Sequence, residues 1–404
     1  MYQFPPKMVM TFSQYVDHLF KAVISRYFNF YQRIDIIFDT YLQGSLKAFT
    51  RQKRGQGVWR RVAGENKCPK NWQQFLKDTR NKDELNTYLA EKLTLLGYPE
   101  GRQLFVTCQE KVLSNGAITM NNCDHEEADS RIMLHVQHAL SEGMNRIKIL
   151  SNDTDVIIIA LGIYHKLRST YLFDDIAIEF GMKKNHKSIS LKALAEDLGE
   201  LRCKALPFFH AFTGSDTTSA FKGIGKKKAY EALKVCTDAE TTFANLNNDP
   251  FQNLDEHDSQ FKTIQQFTVL MYSRTSTLST VNEARLALYF QRTQNIENIP
   301  PTKNSLILHV KRSVYQSGVW SRCLQAQQDL PSPQSFGWRN TYDSPVKWEP
   351  VWMTQNEANK ECREFVKCSC KSNECVKCKC ALALFKCTLL CTCKCADKAT
   401  YTDG

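Results

Sequence analysis

Between Thr11 and Tyr27, the apolar and aromatic residues Phe12, Tyr15, Leu19, Val23 and Tyr27 recur every three or four positions, the period of a helix with one buried face. The pattern then changes to Arg33-Ile34-Asp35-Ile36-Ile37-Phe38-Asp39, a short apolar run ended by an acid. This predicts a buried strand with a carboxylate at its C-terminal end. Charged helical sequence follows through residues 72–97, and Leu104–Cys108 and Lys111–Leu113 read as strands about a turn at Asn115-Gly116. Glu126 to Glu142 has the spacing of an amphipathic helix. Arg146–Ser151 is a second buried strand ending in acids, and Ile176–Phe180 is a third. Buried strands alternating with helices predict an α/β architecture with a mainly parallel sheet.

From Leu191 to about Arg292 the pattern is helical, interrupted by Phe221-Lys222-Gly223-Ile224-Gly225. Residues 296–358 hold six prolines and four tryptophans, which predicts an irregular connection anchored by aromatic side chains, with one helix near His309–Gln325. With 42% hydrophobic and 24% charged residues, the 404-residue chain can build a sizeable core and is not of the disordered class. Its longest apolar run, Val156–Tyr164, is well short of the ~20 residues that span a bilayer, and no signal-peptide pattern opens the sequence. A soluble intracellular chain without a membrane partner is expected. The net charge of +11 points to a polyanionic partner.

Acids stand where a parallel sheet would gather them: Asp39 after one strand, Glu127 and Asp129 at a helix start, Asp153 and Asp155 after another strand, and Asp216 farther on. In an open α/β sheet the carboxyl ends of the strands share one crevice. Carboxylates crowded there raise one another's pKa unless hard divalent ions neutralise them, and Mg²⁺ or Mn²⁺ prefers oxygen ligands. Alternatively each acid is a helix cap, favoured by the helix dipole. Gly223 and Gly225 leave backbone N–H groups open at a helix N-terminus, where Lys226, Lys227 and Lys228 add positive charge, a combination suited to a phosphate.

In order along the chain, Glu127-Ala128-Asp129, Ser151-Asn152-Asp153-Thr154-Asp155, Gly214-Ser215-Asp216 and Gly223-Ile224-Gly225-Lys226-Lys227-Lys228-Ala229 resemble the motifs of the flap endonuclease and XPG family of PIN-like nucleases. The resemblance covers about residues 30–240. It implies a PIN-like sheet with helices on both faces and a helix-two-turn-helix at about 205–240 that contacts DNA. It also implies that Asp39, Glu127, Asp129, Asp153, Asp155 and Asp216 hold two Mg²⁺ or Mn²⁺ ions, directly or through water, with Lys47 and Arg54 on the scissile phosphate. Such nucleases begin with a central strand ending in aspartate. No apolar strand ending in Asp precedes Asp39, so the first strand is expected to be missing, through either a truncated sequence or loss of the strand in descent.

Ten of the sixteen cysteines fall between Cys362 and Cys395. Bunched thiols without a secretory signal favour metal over disulfides. Cys368, Cys370, Cys375, Cys378, Cys380, Cys387, Cys391, Cys393 and Cys395 supply nine sulfurs, enough for about three tetrahedral Zn²⁺ ions if some thiolates bridge. Their spacing resembles one repeat of the tesmin-like CXC domain, which implies three zinc ions and DNA contact; Cys362 stands outside the pattern. The expected organisation is a nuclease-type domain over 1–295, a connecting segment over 296–358 and a zinc module over 359–404. The expected activity is metal-dependent hydrolysis of structured or branched DNA in the nucleus. The alternative is an inactive PIN-like scaffold that binds DNA or protein through the helix-two-turn-helix and the zinc tail.

Overall fold

The computed structural model describes residues 5–6, 8–42, 44–47, 57–181, 186–291, 298–341, 348–353, 367–371, 378–382, 387 and 391–394. The chain divides into two compact units. One comprises Met1–Ser219, Glu240–Gln252 and Arg312–Glu349, and the other Ala220–Ala239, Asn253–Lys311 and Pro350–Gly404.

The first unit opens with α1, Phe12–Leu19. Thr11 Oγ1 accepts from Gln14 N at 3.3 Å while Gln14 Oε1 accepts from Thr11 N at 2.9 Å, a reciprocal cap that satisfies two backbone donors at the helix start. The helical path predicted to Tyr27 continues, but Phe20–Ile24 is wound as a π-helix before a last turn at Ser25–Tyr27. Strand β1, Arg33–Ile36, lies parallel to β2, Gln103–Cys108, with Ile34 opposite Leu104. Between them runs α2, Thr79–Thr94. Strand β3, Lys111–Ser114, returns antiparallel to β2.

The β2–β3 turn is at Gln109-Glu110 and not at Asn115-Gly116. Gln109 takes φ 53° to make it. Asn115 instead extends the ladder with its side chain, since its Oδ1 accepts from Leu104 N at 2.7 Å and its Nδ2 donates to Arg102 O at 3.0 Å. The core beneath this sheet joins Phe12 and Tyr15 of α1 to Trp72, Phe75, Leu85, Leu89, Leu104 and Val106.

Helix α3, Ala128–Ser141, leads to β4, Arg146–Leu150; α4, Thr154–Thr170, leads to β5, Asp175–Phe180, which is parallel to β4. Strand β6, Lys187–Ser190, pairs antiparallel with β5 and runs into α5, Leu191–Leu198. The mainly parallel sheet of the expectation is thus replaced by two three-stranded sheets, each with one parallel and one antiparallel pair. A short return strand at β3 and β6 covers one edge of each parallel pair.

Helix α6, Glu200–Phe212, contains Pro207. A proline inside a helix removes a backbone donor and adds ring bulk. Gly162 of α4 makes room for that ring: a Cβ there would lie 2.6 Å from Pro207 Cγ.

In the second unit α7, Lys226–Leu233, packs on α9, Ser259–Tyr272, which is followed by α10, Val281–Gln291; α8, Thr237–Asn248, comes between α7 and α9 in the chain and from Glu240 onward belongs to the first unit. The helix expected near His309–Gln325 is α11 and spans Lys303–Ser321. The rest of 296–358 includes a 3-10 turn at Pro333–Phe336 and short strands at Trp338–Asn340 and Trp348–Pro350. Among the described residues no helix is long and apolar enough to cross a membrane.

Candidate metal centres

Two helix N-termini of the first unit present the acids. Chain leaving β1 is fixed by Phe38 N donating to Thr107 Oγ1 at 2.7 Å and Thr40 N donating to Glu126 O at 2.8 Å. Buried Arg131 of α3 reinforces this connection, donating to Thr40 Oγ1, to Gln109 O and to Lys111 O. Asp39 Oδ1 then accepts from Ala128 N at 3.0 Å, so Asp39 satisfies an open donor at the start of α3. Glu127 is the N-cap residue of α3 but makes no side-chain cap bond; its carboxylate lies 2.6 Å from Lys47 Nζ. Lys47 also pairs with Asp216 at 3.3 Å.

Asp153 caps α4 by accepting from Asp155 N at 2.9 Å, and Ser151 Oγ accepts from Asp153 N at 3.1 Å. One carboxylate oxygen from each of Asp129, Asp153 and Asp155 lies within 4.8 Å of the other two. The structure therefore sorts the six predicted acids into three groups. Asp129, Asp153 and Asp155 converge, Glu127 and Asp216 meet at Lys47, and Asp39 serves the α3 N-terminus. Arg54, Cys362, Cys375 and Cys395 lie outside the described residues.

Oxygens around a six-coordinate Mg²⁺ at ~2.1 Å sit roughly 3–4 Å apart, a spacing within the 4.8 Å limit that the three acids meet. Without a cation the arrangement is unfavourable. Burial, then the charges of Asp153 and Glu127, push the Asp129 carboxyl up to about 8. Burial also raises Glu127, against the pull of Lys47, and raises Asp153. For Lys47, burial opposes the charged form, yet Glu127 and Asp216 outweigh it and hold the ammonium above its ordinary range. Two helix dipoles aimed at the cluster offset part of the repulsion, and a divalent cation would offset the remainder.

His210 joins the site without a sequence signal. Its Nε2 is 2.8 Å from Asp155 Oδ1, the side chain is buried, and the ring lies 5.8 Å from that of Trp320. His135 and His138 do not reach the acids: His135 Nδ1 bonds Asp35 Oδ1 at 2.7 Å, and His138 Nδ1 meets Arg33 Nη1 at 2.8 Å.

The second candidate centre is the cysteine tail. Cys368, Cys378, Cys380 and Cys387 form one group of possible ligands, and Cys368, Cys387, Cys391 and Cys393 form another. Cys368 and Cys387 belong to both, the arrangement that bridging thiolates would give. Sγ–Sγ distances are 3.9 Å for Cys368–Cys387, 4.0 Å for Cys378–Cys387, 3.7 Å for Cys380–Cys391 and 3.5 Å for Cys368–Cys370. Four sulfurs at ~2.3 Å from a tetrahedral zinc are ~3.8 Å apart, whereas a disulfide needs ~2.05 Å. Among the described cysteines no disulfide is formed. Cys368 N donates to Cys391 Sγ and Ala381 N to Cys378 Sγ, each at 3.4 Å, bonds that favour thiolate sulfur. Burial and then Cys391 push the Cys380 thiol up to about 11.

The glycine turn belongs to the second unit. Gly223 adopts φ 70°, and Gly225 is the N-cap residue of α7 in extended conformation, without a side-chain cap bond. Ile224 is buried, the Phe221 ring packs edge-on to His309 at 5.1 Å, and Lys226 and Lys227 are exposed while Lys228 is half-buried. A Cβ on either glycine would meet nothing within 4 Å.

Comparison with models of protein families, with curated proteins and with solved structures finds no match for this chain.

Proposed function

We propose that the chain is a divalent-cation-dependent DNA nuclease of the flap endonuclease and XPG type, carrying a CXC-like zinc module. The observation that supports this best is the convergence of Asp129, Asp153 and Asp155 from two helix N-termini on one point. Asp129, Asp153 and Asp155 would hold Mg²⁺ or Mn²⁺, with Glu127, Asp216 and Asp39 around them. Bound ions of this kind activate water and stabilise the leaving oxygen of a phosphodiester.

The chain's own residues supply the setting. His210 holds one Asp155 oxygen at 2.8 Å and so restricts how that carboxylate turns. Lys47 places a positive charge beside the cluster, where a scissile phosphate would enter. The N-terminus of α7, capped by Gly225 without a side-chain bond, and the helix's lysines suit a DNA phosphate. The sulfur cluster would hold about three zinc ions and add affinity for DNA in the nucleus. A DNA-binding scaffold without cleavage is the second reading, favoured by the pairing of Lys47 with both Glu127 and Asp216, which withdraws two acids from a cation.

The deciding experiment is cleavage of labelled flap, duplex and single-stranded DNA with Mn²⁺, comparing the chain with Asp153→Ala/Asp155→Ala. Cleavage lost in the double variant is expected. A folded, zinc-loaded protein that binds DNA and cuts none of the three substrates would replace the nuclease with the scaffold.

A further inference from the structure

The two three-stranded sheets of the first unit each leave one parallel strand with a single partner. Among the described strands β1 pairs only with β2, and β4 only with β5. Both strands end at the same place. Asp39, just beyond β1, bonds the start of α3, and Asp153, just beyond β4, meets Asp129 of the same helix. The C-terminal ends of β1 and β4 therefore adjoin, and the strands run in the same direction.

Between them lies a cavity of 490 Å³. Arg33–Phe38 lines it on one side and Arg146–Leu150 on the other, and apolar side chains complete it, including Leu19 of α1, Leu93 of α2 and Val136 of α3. Burial along the strands registers the gap. Leu104–Thr107 of β2 are all buried, but none of the four residues of β1 is. In β4 only Ile149 is buried, and Leu150 is 57% exposed. His135 lines the same cavity, is itself buried, and has no hydrogen-bond partner at Nε2.

We propose that this cavity is a receptor slot for one further β-strand: an extended, uncharged segment of about five residues, apolar on both faces, supplied by another polypeptide and running parallel to β1 and β4. The walls select this occupant. Two strand edges facing one another present main-chain donors and acceptors that a compact apolar ligand would leave unpaired, whereas a strand satisfies both ladders at once. Strands of four and five residues flank the slot, which sets the length. A parallel strand between two others, covered by helices, is buried on both faces and calls for a continuous Val/Ile run. Charge is disfavoured because Arg33 and Asp35 already neutralise each other at 2.8 Å. An inserted strand would join the two sheets and fix the ends of β1 and β4, and with them the helix starts carrying Asp129, Asp153 and Asp155. The slot stands on the sheet geometry and does not depend on nuclease activity.

The test uses the whole chain and an acetylated, amidated Lys-Val-Ile-Val-Ile-Val-Lys peptide, with the same peptide N-methylated at alternate amides as its partner probe. Hydrogen exchange followed by mass spectrometry should show amides of 33–38 and 147–150 slowing by roughly tenfold or more with the plain peptide. The N-methylated peptide, which keeps the side chains but loses ladder donors, should leave them unchanged. Equal protection by both peptides would reduce the slot to an apolar pocket, and no protection by either at millimolar concentration would remove it. Protection of both edges without peptide, together with a concentration-dependent dimer in light scattering, would assign the slot to a second copy of this chain and overturn a foreign strand.

Discussion

The acid cluster and the cysteine cluster are both candidate metal centres, but they are held in opposite ways. Around the acids, position is set before any cation arrives: Asp153 is tied to the α4 N-terminus, Asp155 to His210, and Arg131 reinforces the chain leading to Asp39. A core of aromatic and aliphatic side chains lies under the β1–β2 sheet. The buried cluster of the tail consists of cysteine sulfurs, with Ala381 packed against it, and its one described helical element is Lys379–Leu382. The first centre is a framework that tolerates repulsion. The second is a set of ligands whose framework would be the metal itself.

Chelation should break that contrast most visibly. Structural zinc contributes about 10–16 kcal/mol to small sulfur-ligated modules, more than so small a buried cluster can replace. Treatment with a strong chelator at pH 7 is expected to abolish amide protection between 367 and 394 while protection in the first unit persists. Metal analysis of the untreated chain should return about three zinc ions. Loss of protection in both units together would show that the tail is not the separately metal-dependent part.

A second, smaller effect tests the framework. Burial opposes ionisation of Asp35, but Arg33 and His135 outweigh it and hold the carboxyl below its ordinary value of 3.8. A depressed carboxyl adds stability above the unfolded pKa and loses it as pH falls through the lower folded value. Asp35→Asn leaves Arg33 without its charge partner and should cost about 3 kcal/mol at pH 7. Denaturant titrations from pH 7 down to pH 2 should then show a smaller acid-side loss in the variant than in the wild-type chain. Equal acid limbs would exclude Asp35 as its source.

What the sequence could say follows the same division between local and distant. The helical period from Thr11 to Tyr27 and the strand-then-acid pattern at Asp39 and Asp153 rest on neighbours, and all of these were legible. The spacing of Cys368 to Cys393 likewise announced a cluster, but not the sharing of Cys368 and Cys387, since pairing among many sulfurs is combinatorial. His210 gave no signal because its partner Asp155 is 55 positions away and the residue sits in an apolar run. Strand β6 was missed because Lys187-Ser188-Ile189-Ser190 has one apolar side chain. The turn at Gln109 was missed because it places a positive φ on a residue that seldom takes one. Division of the acids into converging, lysine-bound and capping groups depends on where Lys47 arrives, which periodicity does not encode.

Packing around α4 offers the next test. Gly162→Ala places a methyl 2.6 Å from the Pro207 ring, and a rigid ring inside a helix has little room to yield. Thermal unfolding should show a loss of about 1–3 kcal/mol, the usual cost of overpacking a core. Gly101→Ala, where φ is 76° and the space is open, supplies the control that separates crowding from loss of glycine freedom. If Gly162→Ala is no less stable than wild type, α4 and α6 adjust to one another more readily than the close approach implies.

His210 gives the smallest and most local effect, and it bears on why the acid centre needs a framework at all. A carboxylate on a helix N-terminus has two oxygens and several rotamers, and the His210 bond at 2.8 Å selects one of them. Its removal should leave the three acids in place but less well aimed, which is a loss of affinity and not of ligands. His210→Gln is therefore expected to weaken Mn²⁺ binding by about tenfold in calorimetry, at the low end for groups that orient a metal ligand. His210→Phe, which keeps the ring against Trp320 but has no donor, should fall at least as far. If both bind Mn²⁺ as the wild-type chain does, His210 serves packing alone, and the acids are aimed by the caps of α3 and α4.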